Sequence, residues 1–168
     1  MEIALSLGSN LGDRLATLRE AARRIAALPG VRLLAAAPVY ETEPVGAQPA
    51  YAHLKYLNTV LVVDTPEALD RLAAAFHAIE DALGRTRSED RNAPRTLDID
   101  ILYAGGEIRR GGPLVLPHPR WAQRRFVVQP LADVRPSLRL PGEPRTVADV
   151  LAGLPPGESV IRFAEDWR

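Results

Sequence analysis

The chain has no cysteine and only one lysine, Lys55, among its 168 residues. The absence of cysteine excludes disulfides and thiolate metal sites, and it is typical of proteins that work in a reducing cytoplasm, the localisation we expect. Because lysine is so scarce, nearly all cationic contacts fall to arginine, whose forked guanidinium suits phosphate and carboxylate groups.

The chain also lacks an excess of charge of either sign and any long apolar run. Its 21 basic and 21 acidic residues give a formal net charge of +0. That balance argues against nucleic acid or an anionic membrane as a partner, so any anion site must be local. No stretch is apolar enough to span a bilayer, and no basic segment followed by a long apolar run opens the chain. A soluble protein is expected, with a monomer as its simplest state.

The common glycine-rich nucleotide motifs are missing as well. Neither G-x-x-x-x-G-K-[ST] nor G-x-G-x-x-G follows the first apolar strand pattern, which excludes the usual phosphate-loop and dinucleotide folds. The segment Gly8-Ser9-Asn10-Leu11-Gly12 is rich in glycine but has the wrong spacing. It favours a tight turn from a strand into a helix.

Apolar periodicity predicts a single domain over residues 1–168 in which strands and helices are mixed. The expected sheet is largely antiparallel, because the turn signal Gly105-Gly106 predicts a hairpin partner after an aspartate-containing strand. This is an α/β sandwich. The predicted strands are 2–7, 31–40, 56–64, 97–102 and 160–163, and the predicted helices are 13–28, 146–151 and one that begins with Thr65 as its N-cap and ends before Gly84.

The strand at 97–102 is the most informative segment. Residues two apart in a strand point the same way, so Asp98 and Asp100 share one face while Leu97, Ile99 and Ile101 share the other. Aspartate is depleted from strands and costly to bury unpaired, so the pair needs a compensating cation. Paired carboxylates suit magnesium, although an isolated D-x-D pattern is also found on solvent-facing strands.

An arginine-rich loop leads into that strand. It contains Arg85, Arg87 and Arg91, and Arg95 stands at the strand entrance. These guanidiniums could close as a lid over a metal-bound polyphosphate, or they could form a solvated charged loop. The adjacent aspartates favour the lid.

Other candidates are weaker from sequence alone. His118 is held between two prolines and could donate to a phosphate, although a lone loop histidine is more often a surface residue. The arginines at 120, 124 and 125 could form a second basic rim or lie solvated on a short helix. Asn58 suits the edge of a flat heterocycle whose faces Tyr56 and Phe126 could sandwich, or those rings are ordinary core. Glu80 and its neighbour His77 are expected on the surface of a helix.

Taken together, these segments resemble the 6-hydroxymethyl-7,8-dihydropterin pyrophosphokinase family over essentially the whole chain. The strongest match is Arg91-x-Ala93-Pro94-Arg95-x-x-Asp98-Ile99-Asp100-Ile101-Leu102, although Asn92 stands where some relatives carry tryptophan. Supporting motifs follow in the family's order: Leu7-Gly8-Ser9-Asn10-Leu11-Gly12, Tyr40-x-Thr42-x-Pro44-x-Gly46, Tyr56-Leu57-Asn58, Ile79-Glu80, Gly84-Arg85, Leu116-Pro117-His118 and Arg124-x-Phe126.

The resemblance implies a ferredoxin-like three-layer sandwich and transfer of the β,γ-diphosphate of ATP to the pterin hydroxymethyl group, releasing AMP. It also implies small-molecule substrates only, with ATP as co-substrate and two magnesium ions. Another magnesium-dependent phosphotransferase and a non-catalytic pterin- or nucleotide-binding module are the alternatives. The implied roles are catalytic for Arg85, Arg87, Arg95, Asp98 and Asp100; ATP-binding for Glu80, Arg87, Arg95, Ile101, His118 and Arg124; pterin-binding for Thr42, Pro44, Val45, Tyr56, Asn58, Asp98 and Phe126; and metal-binding for Asp98 and Asp100.

Overall fold

One six-stranded sheet organises the protein in a computed structural model that describes residues 1–168. The strand order is β5-β1-β4-β3-β6, and β2 pairs with the same central strand β4. Every strand pairing is antiparallel. The elements in chain order are β1 (Glu2–Ser9), α1 (Arg14–Ala26), β2 (Arg32–Ala36), β3 (Val39–Thr42), β4 (Tyr56–Asp64), α2 (Leu69–Ala82), β5 (Asp98–Ala104), α3 (Arg125–Val134), α4 (Val147–Gly153) and β6 (Val160–Ala164).

Helices cover both faces of the sheet, which makes three layers. Helices α1 and α2 pack on one face over a core of 21 buried residues, among them Leu5, Leu7 and Ile99. Helices α3 and α4 pack on the other face over a core of 13 buried residues, among them Val60 and Leu102. Alternation of side chains along each strand supplies both cores at once. The expected antiparallel α/β sandwich is confirmed.

Four local predictions are wrong. The strand expected over 31–40 is two strands, because Pro38 cannot donate a ladder hydrogen bond and the chain shifts there from one end of β4 to the other. Thr65 does not cap α2: its side chain accepts from the Glu67 amide, and its own amide is held by Met1 at the sheet. Helix α2 begins at Leu69 instead, with Ala68 as its N-cap.

The hairpin predicted after Gly105-Gly106 is the third correction. The chain turns there, but no strand returns along β5; only an isolated bridge joins Arg109 to Leu116. Strand β1 pairs with β5 instead, so the antiparallel sheet forms through a long-range partner. The predicted turn at Gly8 is also displaced, because β1 continues through Ser9.

None of the helices combines the length and the apolar character that a bilayer crossing requires.

The N-terminus of helix α4 allows a test of how much a single helix cap stabilises the fold. Thr146 caps it in a capping box, in which its side chain accepts from the Asp149 amide at 3.1 Å and Asp149 accepts from the Thr146 amide at 3.3 Å. We expect Thr146→Ala to cost about 1 kcal/mol of unfolding free energy, which is about 2–4 °C in Tm. Thr146→Ser keeps the oxygen and should cost much less. Equal losses in thermal melts of the two variants would show that the box is not what stabilises this helix.

Candidate active site

A cleft of about 700 Å³ opens on the α3 face of the sheet, where β1 ends and where β4 and β5 begin. It is bordered by the two long loops 43–55 and 85–97 and by the segment 118–127. Most of the side chains that the sequence singles out come together here. Those that line the cleft are Thr42, Val45, Tyr56, Asn58, Arg85, Arg87, Arg95, Asp98, Asp100, His118, Arg124 and Phe126.

Strand register explains why residues so distant in sequence meet. Asn58 pairs with Gly8, and Gly8 pairs in turn with Asp98. Residues paired across a sheet point to the same face, so Asn58 and Asp98 lie on either side of a residue without a side chain. The next row on that face pairs Ser6 with Asp100. The sheet thus sets a polar amide on one strand against two carboxylates on another.

The amide side of the cleft is closely packed. Asn58 is 5% exposed, and its Oδ1 accepts a hydrogen bond of 2.6 Å from the Thr42 hydroxyl. A Cβ at Gly8 would come within 2.8 Å of Asn58 Nδ2 and 3.5 Å of Tyr56 Cδ1, so any side chain there would displace the Asn58 amide. With Oδ1 bonded to the Thr42 hydroxyl, Nδ2 remains as a donor to a ligand. Burial raises the pKa of the neighbouring Tyr56 hydroxyl.

Asp98 is surrounded by arginine. Arg85 Nη1 donates to Asp98 Oδ1 at 2.6 Å, and Arg95 Nη1 lies 3.6 Å from Asp98 Oδ2. Both guanidiniums are 16% exposed, so they interact with the carboxylate with limited screening by water. Part of the positive charge that the sequence predicted beside the two aspartates is therefore supplied by arginine, at Asp98.

Asp100 has no such partner. No protein group donates a hydrogen bond to its carboxylate. Burial, with the nearby charges of Asp98 and Glu80, raises the pKa of Asp100 from 3.8 to about 7, against the opposing effect of Arg124 and Arg85. A carboxylate in this setting is strained as an anion and is stabilised by any cation that reaches it.

Glu80 is not on the surface, contrary to the sequence-based expectation. It is 1% exposed near the end of α2 and lies behind the cleft wall without lining the cleft. Its Oε2 accepts from the Ile99 amide at 3.0 Å and also binds Arg85 Nη1. A buried carboxylate thus holds the backbone between the two aspartates and the first arginine of the loop, while His77 beside it is exposed.

The loop arginines divide between two positions. Arg87 lies at the carboxyl end of α2, where Nη2 donates to Asp81 at 3.1 Å and to Glu80 at 3.3 Å. Arg85 reaches inward to Asp98, so both side chains border the cleft while bound to carboxylates. The loop tip also contacts the opposite loop, through a hydrogen bond of 3.2 Å from Gln48 to Asp90.

The far wall carries His118 and Arg124. The Arg120 amide donates to His118 Nδ1 at 3.1 Å, which leaves the proton of the neutral ring on Nε2. Burial, followed by the charge of Arg124, lowers the pKa of His118, so the neutral donor form dominates at pH 7. Arg124 Cζ lies 5.5 Å from the centre of the Phe126 ring. Arg120 also lines the cleft, whereas Arg125 binds the backbone carbonyl of Leu154.

Two further residues that were predicted to contact a substrate lie outside the cleft lining. The Ile101 side chain is 6% exposed in the core under α1 and α2, on the opposite face from the aspartates. Pro44 is half-buried beside the lining residues Glu43 and Val45, and Val45 is 59% exposed at the rim.

Sequence reasoning missed the part that Gly8 plays in the cleft. It assigned this glycine to a turn, whereas its lack of a side chain makes room for Asn58. The usable signal was its position at the end of an alternating strand, where glycine often marks a close approach. Ser6 lines the cleft as well, and a small polar residue in an apolar strand was the signal for it.

Comparison with known proteins identifies the family. Residues 4–136 match the family model for 7,8-dihydro-6-hydroxymethylpterin-pyrophosphokinase, HPPK. A protein of Methylorubrum extorquens named 2-amino-4-hydroxy-6-hydroxymethyldihydropteridine pyrophosphokinase is 41% identical over 153 residues, covering 90% of this chain and 92% of that protein. A protein of the same name from Pseudomonas aeruginosa is 38% identical over 155 residues, covering 91% of each.

Solved structures share the fold. The crystal structure of wild-type Plasmodium falciparum HPPK-DHPS superposes with a TM-score of 0.68 at 13% sequence identity, covering 90% of this chain. This chain spans only 44% of that longer protein, so the likeness concerns the fold of one part of it. From the family model and the curated relatives, the chain belongs to the 7,8-dihydro-6-hydroxymethylpterin-pyrophosphokinase family and is an ATP-dependent diphosphotransferase of folate biosynthesis.

Proposed function

We propose that the cleft binds 6-hydroxymethyl-7,8-dihydropterin at Asn58 and the phosphates of ATP at the arginines, with Asp98 and Asp100 between them. The β,γ-diphosphate would pass to the pterin hydroxymethyl oxygen and leave AMP. The observation that carries this assignment is the cross-sheet row in which Asn58, Gly8 and Asp98 stand side by side. It brings a group that reads a heterocycle edge next to groups that manage phosphate charge.

The pterin side follows from the free donor of Asn58. With Oδ1 engaged by Thr42, Nδ2 is available to an acceptor on the ring edge, and the second lone pair of Oδ1 to a ring donor. Tyr56 and Phe126 would supply the stacking faces, and the segment with Pro44 and Val45 would close the rim. We propose no direct ligand contact for the Ile101 side chain, because it faces the other core.

The phosphate side follows from the density of donors. Arg95, His118 and Arg124 would bind the triphosphate, with His118 donating through Nε2. Arg85 and Arg87 would act on the transferred group as charge shifts toward the leaving oxygen. Glu80, buried behind the wall, would hold Arg85 and the Ile99 amide and make no contact with ATP.

The aspartates fit magnesium. Mg²⁺ is usually held by one or two carboxylates together with substrate phosphates, so the absence of a cluster of three or more acidic or imidazole ligands is compatible with it. Asp100, without a hydrogen-bond donor, has the chemistry of a ligand that awaits a cation. Two ions, the proposed number, would neutralise the phosphates and align attacking and leaving oxygens.

Product analysis tests the function directly. The protein with ATP, magnesium and the hydroxymethyl-dihydropterin should give AMP and pterin diphosphate in equal amounts. Asp98→Ala should lower kcat by about 10²-fold or more while pterin binding remains, because charge stabilisation is lost. Asp70→Ala, at a side chain 87% exposed on α2, is the matched control and should leave kcat unchanged. ADP as the only nucleotide product, or equal turnover without pterin, would support a different phosphotransferase or hydrolase. No turnover in the wild type would support a binding module.

The raised pKa of Asp100 predicts that replacing its carboxylate with a neutral side chain stabilises the folded protein. The folded protein keeps this proton up to about pH 7, whereas the unfolded chain releases it near 3.8, so ionisation destabilises the fold as pH rises through that window. Asp100→Asn should therefore raise Tm by about 3–6 °C at pH 8 without magnesium, and by less at pH 5, while turnover falls. A lower Tm at pH 8 in calorimetry would contradict the assigned strain.

Gly8 predicts a selective loss of pterin binding. Gly8→Ala places a methyl group 2.8 Å from Asn58 Nδ2, which must move. We expect pterin affinity to fall by about 10-fold or more, with ATP affinity within about twofold of wild type. Gly106→Ala, where nothing lies within 4 Å, is the control for the substitution itself. Titration calorimetry that finds pterin affinity unchanged in Gly8→Ala would remove Asn58 from the pterin pocket.

A further inference from the structure

Asn10 lies in the connection between β1 and α1 and is only 4% exposed, although it lines no part of the cleft. It belongs to the glycine-rich segment 8–12, which the proposed reaction uses only through Gly8. Buried asparagine is costly unless its amide is hydrogen-bonded, so its contacts should explain its place.

Its first set of contacts clamps the peptide of Arg95. The Arg95 backbone amide donates to Asn10 Oδ1 at 2.8 Å, and the Asn10 backbone amide donates to the Arg95 carbonyl at 3.2 Å. The two bonds hold both polar groups of one residue at the end of the arginine loop. The direction in which the Arg95 side chain leaves the backbone is thereby fixed.

Its remaining contact reaches the other loop. Asn10 Nδ2 donates to the Leu54 carbonyl at 3.3 Å, two residues before β4 brings Tyr56 into the cleft. The orientation of the Asn10 side-chain amide follows from these partners, because the Arg95 N–H can only donate and the Leu54 carbonyl can only accept. One buried side chain therefore joins the end of loop 43–55 to the end of loop 85–97.

The Arg95 side chain shows what this clamp controls. Its Nη1 lies 3.6 Å from Asp98, and its Nε donates to the Ala93 carbonyl at 3.2 Å. It is 16% exposed, so little water competes with these contacts. A shift of the Arg95 peptide would carry the guanidinium away from Asp98 and from the cleft.

We propose that Asn10 is a positioning residue for diphosphate transfer, which acts through the backbone of Arg95 on turnover and through Leu54 on pterin binding. The kinetic part rests on the proposed function, in which Arg95 binds the phosphates. The two contacts use different atoms of one amide, so substitutions can separate them.

Hydrogen exchange at the Arg95 amide tests the clamp without any assay of activity. In the ligand-free protein, Asn10→Ala should speed exchange of this amide by about 10-fold or more, because the amide loses its buried acceptor. Asn10→Asp retains an acceptor and should keep the protection. Thr65→Val removes another buried side-chain contact at the far end of β4 and should leave the Arg95 amide unchanged. Unchanged exchange in Asn10→Ala would overturn the clamp, whatever the reaction proves to be.

Kinetics of the full-length variants test the consequence. Asn10→Ala should lower kcat by about 10- to 100-fold and raise the KM for pterin, and it should also weaken ATP binding, because the displaced Arg95 guanidinium binds the phosphates. Asn10→Asp should restore kcat to within about threefold of wild type, yet keep the raised pterin KM, because a carboxylate cannot donate to the Leu54 carbonyl. Thr65→Val should lower Tm about as much as Asn10→Ala does, but it should leave kcat unchanged. If Asn10→Asp loses as much kcat as Asn10→Ala, the route through Arg95 is wrong.

A double-mutant cycle with Arg95→Ala separates this inference from the proposed function. Once the guanidinium is gone, adding Asn10→Ala should lower kcat by no more than about twofold, while the effect on pterin KM persists. Independent, multiplicative losses in kcat would overturn the positioning role. If Arg95→Ala itself leaves kcat unchanged, the assigned phosphate contact fails, and a remaining kcat loss in Asn10→Ala overturns the route through Arg95 as well. Should Asn10→Ala fail to fold, Asn10→Asp decides through its predicted split between kcat and KM.

Discussion

The two-residue alternation of β5 is the constraint on which the rest of this structure depends. Strand geometry sends Asp98 and Asp100 to the cleft and Ile99 and Ile101 to the core, so the carboxylates cannot leave the site without exposing the isoleucines. Buried Glu80 holds the same strand through the Ile99 amide. The packing that stabilises the fold therefore also sets the position of the groups assigned to metal and phosphate.

That arrangement concentrates charge where a stable protein would avoid it. Arginine compensates Asp98 directly, whereas Asp100 is left in a partly buried site beside other carboxylates, which raises its pKa to about 7. Strain of this kind is typical of a binding site that is completed by its ligands. The net charge of +0 hides it, because the imbalance is local to the cleft.

Local patterns predicted what depends on neighbouring residues and missed what depends on distant ones. The faces of β5 follow from period-two alternation, and the short helix predicted over 146–151 needs only neighbouring residues, so both were predictable. The hairpin after Gly105-Gly106 and the cap at Thr65 failed because pairing with β1 and with Met1 outweighed the local turn signals. Burial of Glu80 likewise depends on a partner amide 19 residues away.

The proposed function depends on one face of the sheet, which places the Asn58 amide beside the Asp98 and Asp100 carboxylates. A crystal structure with manganese in place of magnesium, a non-hydrolysable ATP analogue and the hydroxymethyl pterin tests it most directly. We expect anomalous peaks at coordination distance from Asp98 and Asp100, with the pterin ring edge hydrogen-bonded to Asn58. Peaks at other carboxylates, or a pterin bound away from Asn58, would contradict it.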